Sequence, residues 1–330
     1  MIRIGSKKVP TNIFLAPLSG CSDLSFRLIA REHGAKFCFF EMIDSNSVIR
    51  GPERRFLSVL RTLPQDSPIA AQLLGEDPSM MVRAAKKILN LGLRISFIDI
   101  NAACPTKKVV KKGAGSYLLE DRRTLYCIVR KMVNSLPVPV TVKIRVGYEY
   151  RDLKEILSLS KRCESLGASA IFVHGRTKSQ GYMGEVDYET IKAIKENLGV
   201  PVFGIGNIFS PESASRMFNE TGCDGIMVAR GAMGNPWIFK DIEDYLKEGS
   251  CGPAPDIKNK GTVLKRHLAY IDKYKECGSS GKIGIIRKTA FCYLKGLAGS
   301  ARIRREISLV KTYDMMIKLI DRLIGKGEEI

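Results

Sequence analysis

The chain has 330 residues, 45% of them hydrophobic, which is ample for a sizeable core in one large domain or two, and it is expected to fold alone as a monomer. Lys and Arg number 53 against 34 Asp and Glu, a formal net charge of +19; nucleic acid, anionic lipid or acidic partners are indicated, with an ordinary solvated basic surface equally open. No apolar run approaches the roughly 20 residues of a spanning helix, and no signal peptide or lipidation motif is evident, so a cytoplasmic protein without a membrane partner is expected. Nine cysteines sit in apolar contexts with neither a CxxC pair nor zinc-like Cys/His spacing, which reads as reduced thiols and predicts no metal.

Residues 2–10 alternate apolar and polar around Gly5 and Ser6, the pattern of a small hairpin. Residues 13–18 read as the first buried strand, and Ser22 and Asp23 cap a helix that runs to about His33 and stops at Gly34. A second strand is expected over 36–42, with Glu41 near its C-terminal end. Further strand signals fall at 68–74, 95–101, 138–145, 170–174, 200–205 and 225–229, separated by helix-period segments at 77–91, 121–136, 153–166, 188–197 and 211–221. Eight such units in roughly 240 residues predict an α/β fold, a (β/α)8 TIM barrel, although an open doubly wound sheet uses similar units. The barrel is favoured because Pro17, Gln72, Asn101, Cys104, Lys143, Arg145, His174, Arg176, Asn207 and Arg230 all gather at or just beyond strand ends, which a barrel brings to one face.

Beyond Tyr245 the strand signals disappear. Residues 249–255 form a Gly/Pro-rich connector, so a barrel over 1–248 and a helical domain over 249–330 are expected. From Cys251 onward there are 17 Lys and Arg against 8 Asp and Glu, densest at Arg287-Lys288 and at Arg302, Arg304 and Arg305. With Phe291 and Tyr293 interleaved, this suits an RNA backbone, although aromatics at helical spacing more often belong to a core.

Several strand ends carry chemistry. Gly204-Ile205-Gly206-Asn207 and Ala229-Arg230-Gly231 follow strands seven and eight, where barrels place phosphate sites built from backbone N–H groups and a cation. Lys143 ends an apolar strand, where a buried ammonium is costly unless an anion meets it. A reduced flavin offers such an anionic edge; a Schiff-base lysine and a structural salt bridge are the alternatives. Gln72 has an amide suited either to a flavin ring or to tidying a loop. Cys104 lies in a loop with Lys107, Lys108, Lys111 and Lys112, a setting for chemistry on a polyanion rather than for core packing. A hydrolase pairing Cys104 with His174 is a weaker alternative.

These motifs together resemble the tRNA-dihydrouridine synthases, flavin-dependent enzymes with an FMN-binding barrel and a helical C-terminal domain. The resemblance rests on Ala16-Pro17-Leu18-Ser19-Gly20 with Asp23 and Arg27, Ala71-Gln72-Leu73, Asn101 with Cys104-Pro105, Lys107-Lys108, Ala114-Gly115, Lys143-Ile144-Arg145, His174-Gly175-Arg176-Thr177, Tyr182, Gly206, and Ala229-Arg230-Gly231 with Pro236-Trp237. It implies that Pro17, Leu18, Ser19, Gln72, Lys143, His174, Ile205, Gly206, Asn207, Ala229 and Arg230 surround FMN, with NADPH as reductant. It also implies that Cys104 is the proton donor, that Asn101, Arg145, Arg176 and Tyr182 hold the uracil, and that Lys107, Lys108, Arg287, Lys288, Arg304 and Arg305 meet tRNA. A thiol ordinarily titrates near 8.5, about right for an acid that is protonated at neutral pH. Two positions depart from the family pattern: Ala102-Ala103 stands where Gly usually precedes the cysteine, and Ile205-Gly206-Asn207 replaces Asn-Gly-Asp. A flavin reductase of a small molecule such as dihydroorotate, and an RNA-binding barrel without turnover, are the rival expectations.

Overall fold

A computed structural model of the chain describes residues 1–295 and 300–326. The N-terminal hairpin forms as expected, β1 (Ile2–Ile4) pairing antiparallel with β2 (Lys7–Val9). Gly5 turns it at φ 53°, where a Cβ would press on the Ser169 hydroxyl at 2.9 Å, so the turn needs glycine for conformation and for room.

The barrel strands are β3 (Ile13–Leu15), β4 (Cys38–Phe39), β5 (Ile43–Asp44), β6 (Ile69–Leu74), β7 (Ile95–Ala102), β8 (Val140–Arg145), β9 (Ile171–His174), β10 (Val202–Ile205) and β11 (Gly225–Val228). All pair parallel with their neighbours; β11 bonds β3, and β4 bonds both β3 and β6, which closes the ring. The open-sheet alternative is thereby removed. The second strand, expected as one run over 36–42, is broken into β4 and β5. In the gap Phe40 lies under the Arg27 guanidinium, and the Glu41 carboxylate accepts from the Gly20 N–H, so side-chain demands override the ladder.

Around the ring run α1 (Leu24–Glu32), α2 (Ser45–Arg50), α3 (Glu53–Val59), α4 (Pro78–Leu89), α5 (Lys107–Val110), α6 (Arg122–Ser135), α7 (Leu153–Ser165), α8 (Tyr188–Asn197), α9 (Pro211–Thr221) and α10 (Ile238–Glu248). Asp23, Asp77, Asp121, Asp152 and Asp187 each accept from an N–H in the first turn of the helix they precede, a repeated cap legible in the sequence. The short α2 and α3 fill a segment for which no helix was expected.

The lower barrel is packed with Phe14, Phe37, Phe39, Phe97, Phe172 and Phe203, all fully buried, with ring centroids as close as 4.4 Å. Ile4 and Val9 of the hairpin join this cluster at one end; Ala16, Ile205 and Met227 join it at the other and form the floor of the cavity above. Separate from it, Leu264, Leu268, Ile271, Ile286, Ala290, Ile307, Met316 and Ile320 make a core of their own within α11 (Ile257–Tyr274), α12 (Ser279–Tyr293), α13 (Ser300–Leu309) and α14 (Tyr313–Lys326). This helical unit leans on α1. Lys275 pairs with Asp23 at 2.8 Å, Arg266 with Glu32 at 2.8 Å, and Phe26 meets the His267 ring edge-on. Gly234, at φ 74°, lets the loop after β11 touch the α12 backbone: a Cβ there would stand 2.3 Å from Cys292.

Candidate active site at the barrel mouth

A cavity of about 560 Å³ opens at the C-terminal ends of the strands. Pro17, Leu18 and Ser19 from the loop after β3, Gln72 from β6, and Asn101 and Cys104 from the end of β7 all reach it. So do Lys143 and Arg145 of β8, His174 of β9, Ile205 and Gly206 after β10, and Ala229 and Arg230 after β11. Tyr182 and Lys108 line its rim, and Lys288 reaches it from α12, so the helical unit contributes to the wall. Residues spread over 272 positions thus converge, as closure of the barrel requires.

The Cys104 loop is held from several sides. Asn101 Oδ1 accepts from the Ala103 and Cys104 N–H groups at 3.0 and 2.9 Å. The Ala103 carbonyl accepts from Arg145 Nε at 2.7 Å, and the Cys104 carbonyl accepts from Ser116 N–H at 3.0 Å. Gly115, in a 3-10 turn at φ 63°, stands so close that a Cβ would meet the Cys104 carbonyl at 2.8 Å. Among the described residues the thiol's own partner is only Thr106 Oγ1, at 3.4 Å.

Gln72 does not present a free amide. Its Nε2 donates to Asp99 Oδ2 at 2.7 Å and its Oε1 accepts from Asn101 Nδ2 at 2.7 Å, which leaves one proton and one lone pair for anything in the cavity. Lys143 lies beside this network without a hydrogen bond or ion pair to any described residue. Burial, then repulsion from Arg145, pulls its ammonium below the usual range, and Asp99 opposes that; the carboxyl of Asp99 is in turn raised by burial. Burial and the cations Arg145, Lys143, Arg176 and Arg230 hold His174 well below its ordinary range, so its ring is neutral at physiological pH. Burial lowers Arg145 to about 10, still a cation; its Nη1 clamps the Thr177 and Gly181 carbonyls at 2.7 and 2.9 Å.

At the far end Arg230 lies between the Tyr182 and Phe209 rings, 4.8 and 5.3 Å from their centroids. Asn207, expected at the cavity, is exposed outside its wall with φ 48° and accepts from Arg230 Nη2 at 3.5 Å. Gly231 leaves no room for a side chain, since a Cβ would meet the Ile208 carbonyl at 2.0 Å. Other expected residues lie elsewhere. Arg176 is buried, its Nε and Nη2 on the Met183 and Gly184 carbonyls and its Nη1 without a partner among the described residues. Arg287 donates to the Val310 carbonyl inside the helical unit, while Lys107, Arg304 and Arg305 are exposed away from the cavity wall. Asp99, Thr141 and Phe209 were not singled out in the sequence; the signal for Asp99 was a carboxylate in the middle of an apolar strand.

Residues 14–323 match the family model described as dihydrouridine synthase. The chain belongs to the dihydrouridine synthase family. Among its relatives, tRNA-dihydrouridine synthase B of Pseudomonas aeruginosa is 37% identical over 314 residues, covering 95% of this chain and 93% of that protein. A probable tRNA-dihydrouridine synthase of Rickettsia bellii is 38% identical over 312 residues, covering 94% of each. Solved structures with the same fold include a morphinone reductase variant (TM-score 0.54, 13% identity, 78% of this chain and 92% of that one). Another is histamine dehydrogenase from a Rhizobium species (TM-score 0.58, 14% identity, 98% and 64%). At such identity the likeness speaks for the barrel alone.

Proposed function

We propose that this protein is a cytoplasmic, monomeric tRNA-dihydrouridine synthase that reduces the C5=C6 bond of uridine in tRNA with FMN, using NADPH as the electron source. The observation that carries the reading is that the Cys104 thiol and the Lys143 ammonium, which has no hydrogen bond or ion pair among the described residues, share one cavity, with a cation from the basic helical unit in its wall. The residues present fit FMN. An apolar floor of Ala16, Ile205 and Met227 suits a flat ring, and Lys143 has no hydrogen bond or ion pair among the described residues, Asp99 acting on it only through its charge. Gly206, Gly231 and Arg230 offer backbone N–H groups and a guanidinium to a phosphate. Bound flavin would supply the hydride for uracil C6.

The chain's own residues do the rest. Cys104 gives its proton to C5, and Asn101 and Arg145 fix the loop that carries the thiol. Neutral His174 serves as a hydrogen-bonding group beside the cations rather than as an acid. Tyr182, 56% exposed at the rim, offers a ring face to the base as it leaves the RNA stack. Residues 1–248 then act as the catalytic domain, and 249–330, with Lys288, Arg304 and Arg305, as the domain that grips tRNA phosphates. Lys288 in the cavity wall favours this reading over reduction of a free small molecule.

Protein purified with its flavin absorbance band, given unmodified tRNA transcript and NADPH, is expected to yield dihydrouridine in the nucleoside digest. A colourless protein that still binds tRNA, or a yellow one that reduces a free pyrimidine and leaves tRNA untouched, would overturn the proposal.

A further inference from the structure

Asp99 is fully buried in the middle of β7, yet the chemistry assigned above gives it nothing to do. Its two oxygens are used differently. Oδ1 accepts from the Thr141 hydroxyl at 2.6 Å, and Oδ2 accepts from Gln72 Nε2 at 2.7 Å. From Gln72 the bonding passes to Asn101 Nδ2, and from Asn101 Oδ1 to the N–H groups of Ala103 and Cys104.

The sense of this relay is fixed from both ends. Backbone N–H groups only donate, so the Asn101 atom facing them is oxygen and the atom facing Gln72 is NH₂. Gln72 must then offer oxygen to Asn101 and NH₂ to residue 99, which must accept. A side chain at 99 that failed to accept would leave a buried Gln72 NH₂ without a partner, and flipping that amide would set two oxygens or two NH₂ groups face to face. Thr141 on the neighbouring strand holds the carboxylate in the rotamer that serves Gln72.

We infer that Asp99 is a positioning residue for the proton-donating loop: through the ordered amides of Gln72 and Asn101 it holds the Ala103 and Cys104 backbone, and so the Cys104 thiol, in place. This rests on the assignment of Cys104 as the acid. A separate effect is the negative charge Asp99 presents to Lys143, and the test has to tell the two apart.

Asp99→Asn retains an acceptor for Gln72 while removing the charge; Asp99→Ala removes both. Hydrogen exchange of the peptide containing Ala103 and Cys104, and peptide-resolved alkylation of Cys104 with iodoacetamide, are measured on flavin-loaded protein, with exposed Cys251 and Cys277 as internal references. With the relay intact in Asp99→Asn, both rates stay within about twofold of wild type; in Asp99→Ala they rise roughly tenfold, as loss of a buried hydrogen-bond partner entails. The references stay unchanged, and kcat for tRNA falls in Asp99→Ala with rescue in Asp99→Asn. Wild-type exchange in Asp99→Ala would overturn the relay, and so would an equal rise in both variants, which would assign the effect to the charge opposite Lys143. If Asp99→Ala does not fold, Gln72→Leu cuts the relay with Asp99 in place and must loosen the same two amides. Exchange reads the loop whether or not Cys104 is the acid, whereas activity of Cys104→Ala reads the acid, so the two failures are distinguishable.

Discussion

Replacing Cys104 with alanine isolates proton donation from everything else the cavity does. Among the described residues the thiol's one hydrogen bond is a long contact to Thr106 Oγ1, and the loop is held by backbone atoms and by Asn101 and Arg145, so the truncation unpicks no network. Fold stability should therefore change by less than about 1 kcal/mol, typical of a substitution away from special features. A positioned general acid contributes about 10²–10⁴ in rate, or roughly 3–5.5 kcal/mol of barrier. Because the cavity opens to solvent, water can protonate C5 slowly, and a drop of about 10³ in kcat is expected. Dihydrouridine formed per unit time on a tRNA transcript, measured by nucleoside mass spectrometry, reads this directly; stopped-flow bleaching of flavin by NADPH, which does not use the thiol, serves as the control. Turnover on tRNA within about threefold of wild type would refute the role of Cys104, since no positioned acid contributes so little.

Other residues give sharp expectations. Gly115→Ala drives a Cβ toward the Cys104 carbonyl and places a non-glycine at φ 63°; tRNA turnover should fall while flavin content is preserved, and unchanged kcat would show that the loop tolerates the shift. Asp66, fully buried, accepts from both Arg27 and Arg31 at 2.9 Å; Asp66→Ala leaves a buried cation and should cost about 3–5 kcal/mol. At about 2.1 cal/mol/K per residue this is a fall of roughly 4–7 °C in Tm, which scanning fluorimetry resolves; a shift below about 1 °C would contradict it. His267 lies buried between Phe26 and the Tyr293 hydroxyl, and burial lowers it to about 4. Because its pKa is higher in the unfolded chain, unfolding takes up a proton below about 6.5, so the stability it permits at neutral pH is lost as pH falls from there toward 4, about 2 kcal/mol by pH 5. Denaturant melts of wild type and His267→Phe at pH 7 and 5 check this; equal pH dependence in the two would refute it.

The α/β units were legible because their signals are local: apolar runs near 69–74, 95–102 and 140–145, each followed by an Asp-capped helix, repeat along the chain, and the polar residues at their ends favoured the barrel over an open sheet. The cavity residues were legible for the same reason, since a polar side chain at the end of an apolar strand stands out. What stayed hidden depends on which side chains meet across strands and loops. That Gln72 is engaged by Asp99, that Arg145 clamps a loop, and that Arg176 folds under Met183 and Gly184 follow from partners 27, 42 and 7–8 positions away that no pattern in a single strand announces. The split of the second strand had the same origin, for Glu41 is drawn to a backbone N–H 21 residues earlier. Arg287 was read from charge density alone, and density does not tell a phosphate-seeking guanidinium from one that satisfies a carbonyl such as Val310.

Six phenylalanine rings stopper the barrel below the cavity, and the hairpin bearing Ile4 and Val9 backs them up. Among the described residues that cluster leaves the cavity open at its mouth, so on the function proposed above the electron donor and the electron acceptor would share the front entrance. A nicotinamide and an extruded nucleobase would then take turns rather than meet, so steady-state rates against either partner at fixed levels of the other should trace parallel double-reciprocal lines, and each partner in excess should inhibit by occupying the doorway the other needs.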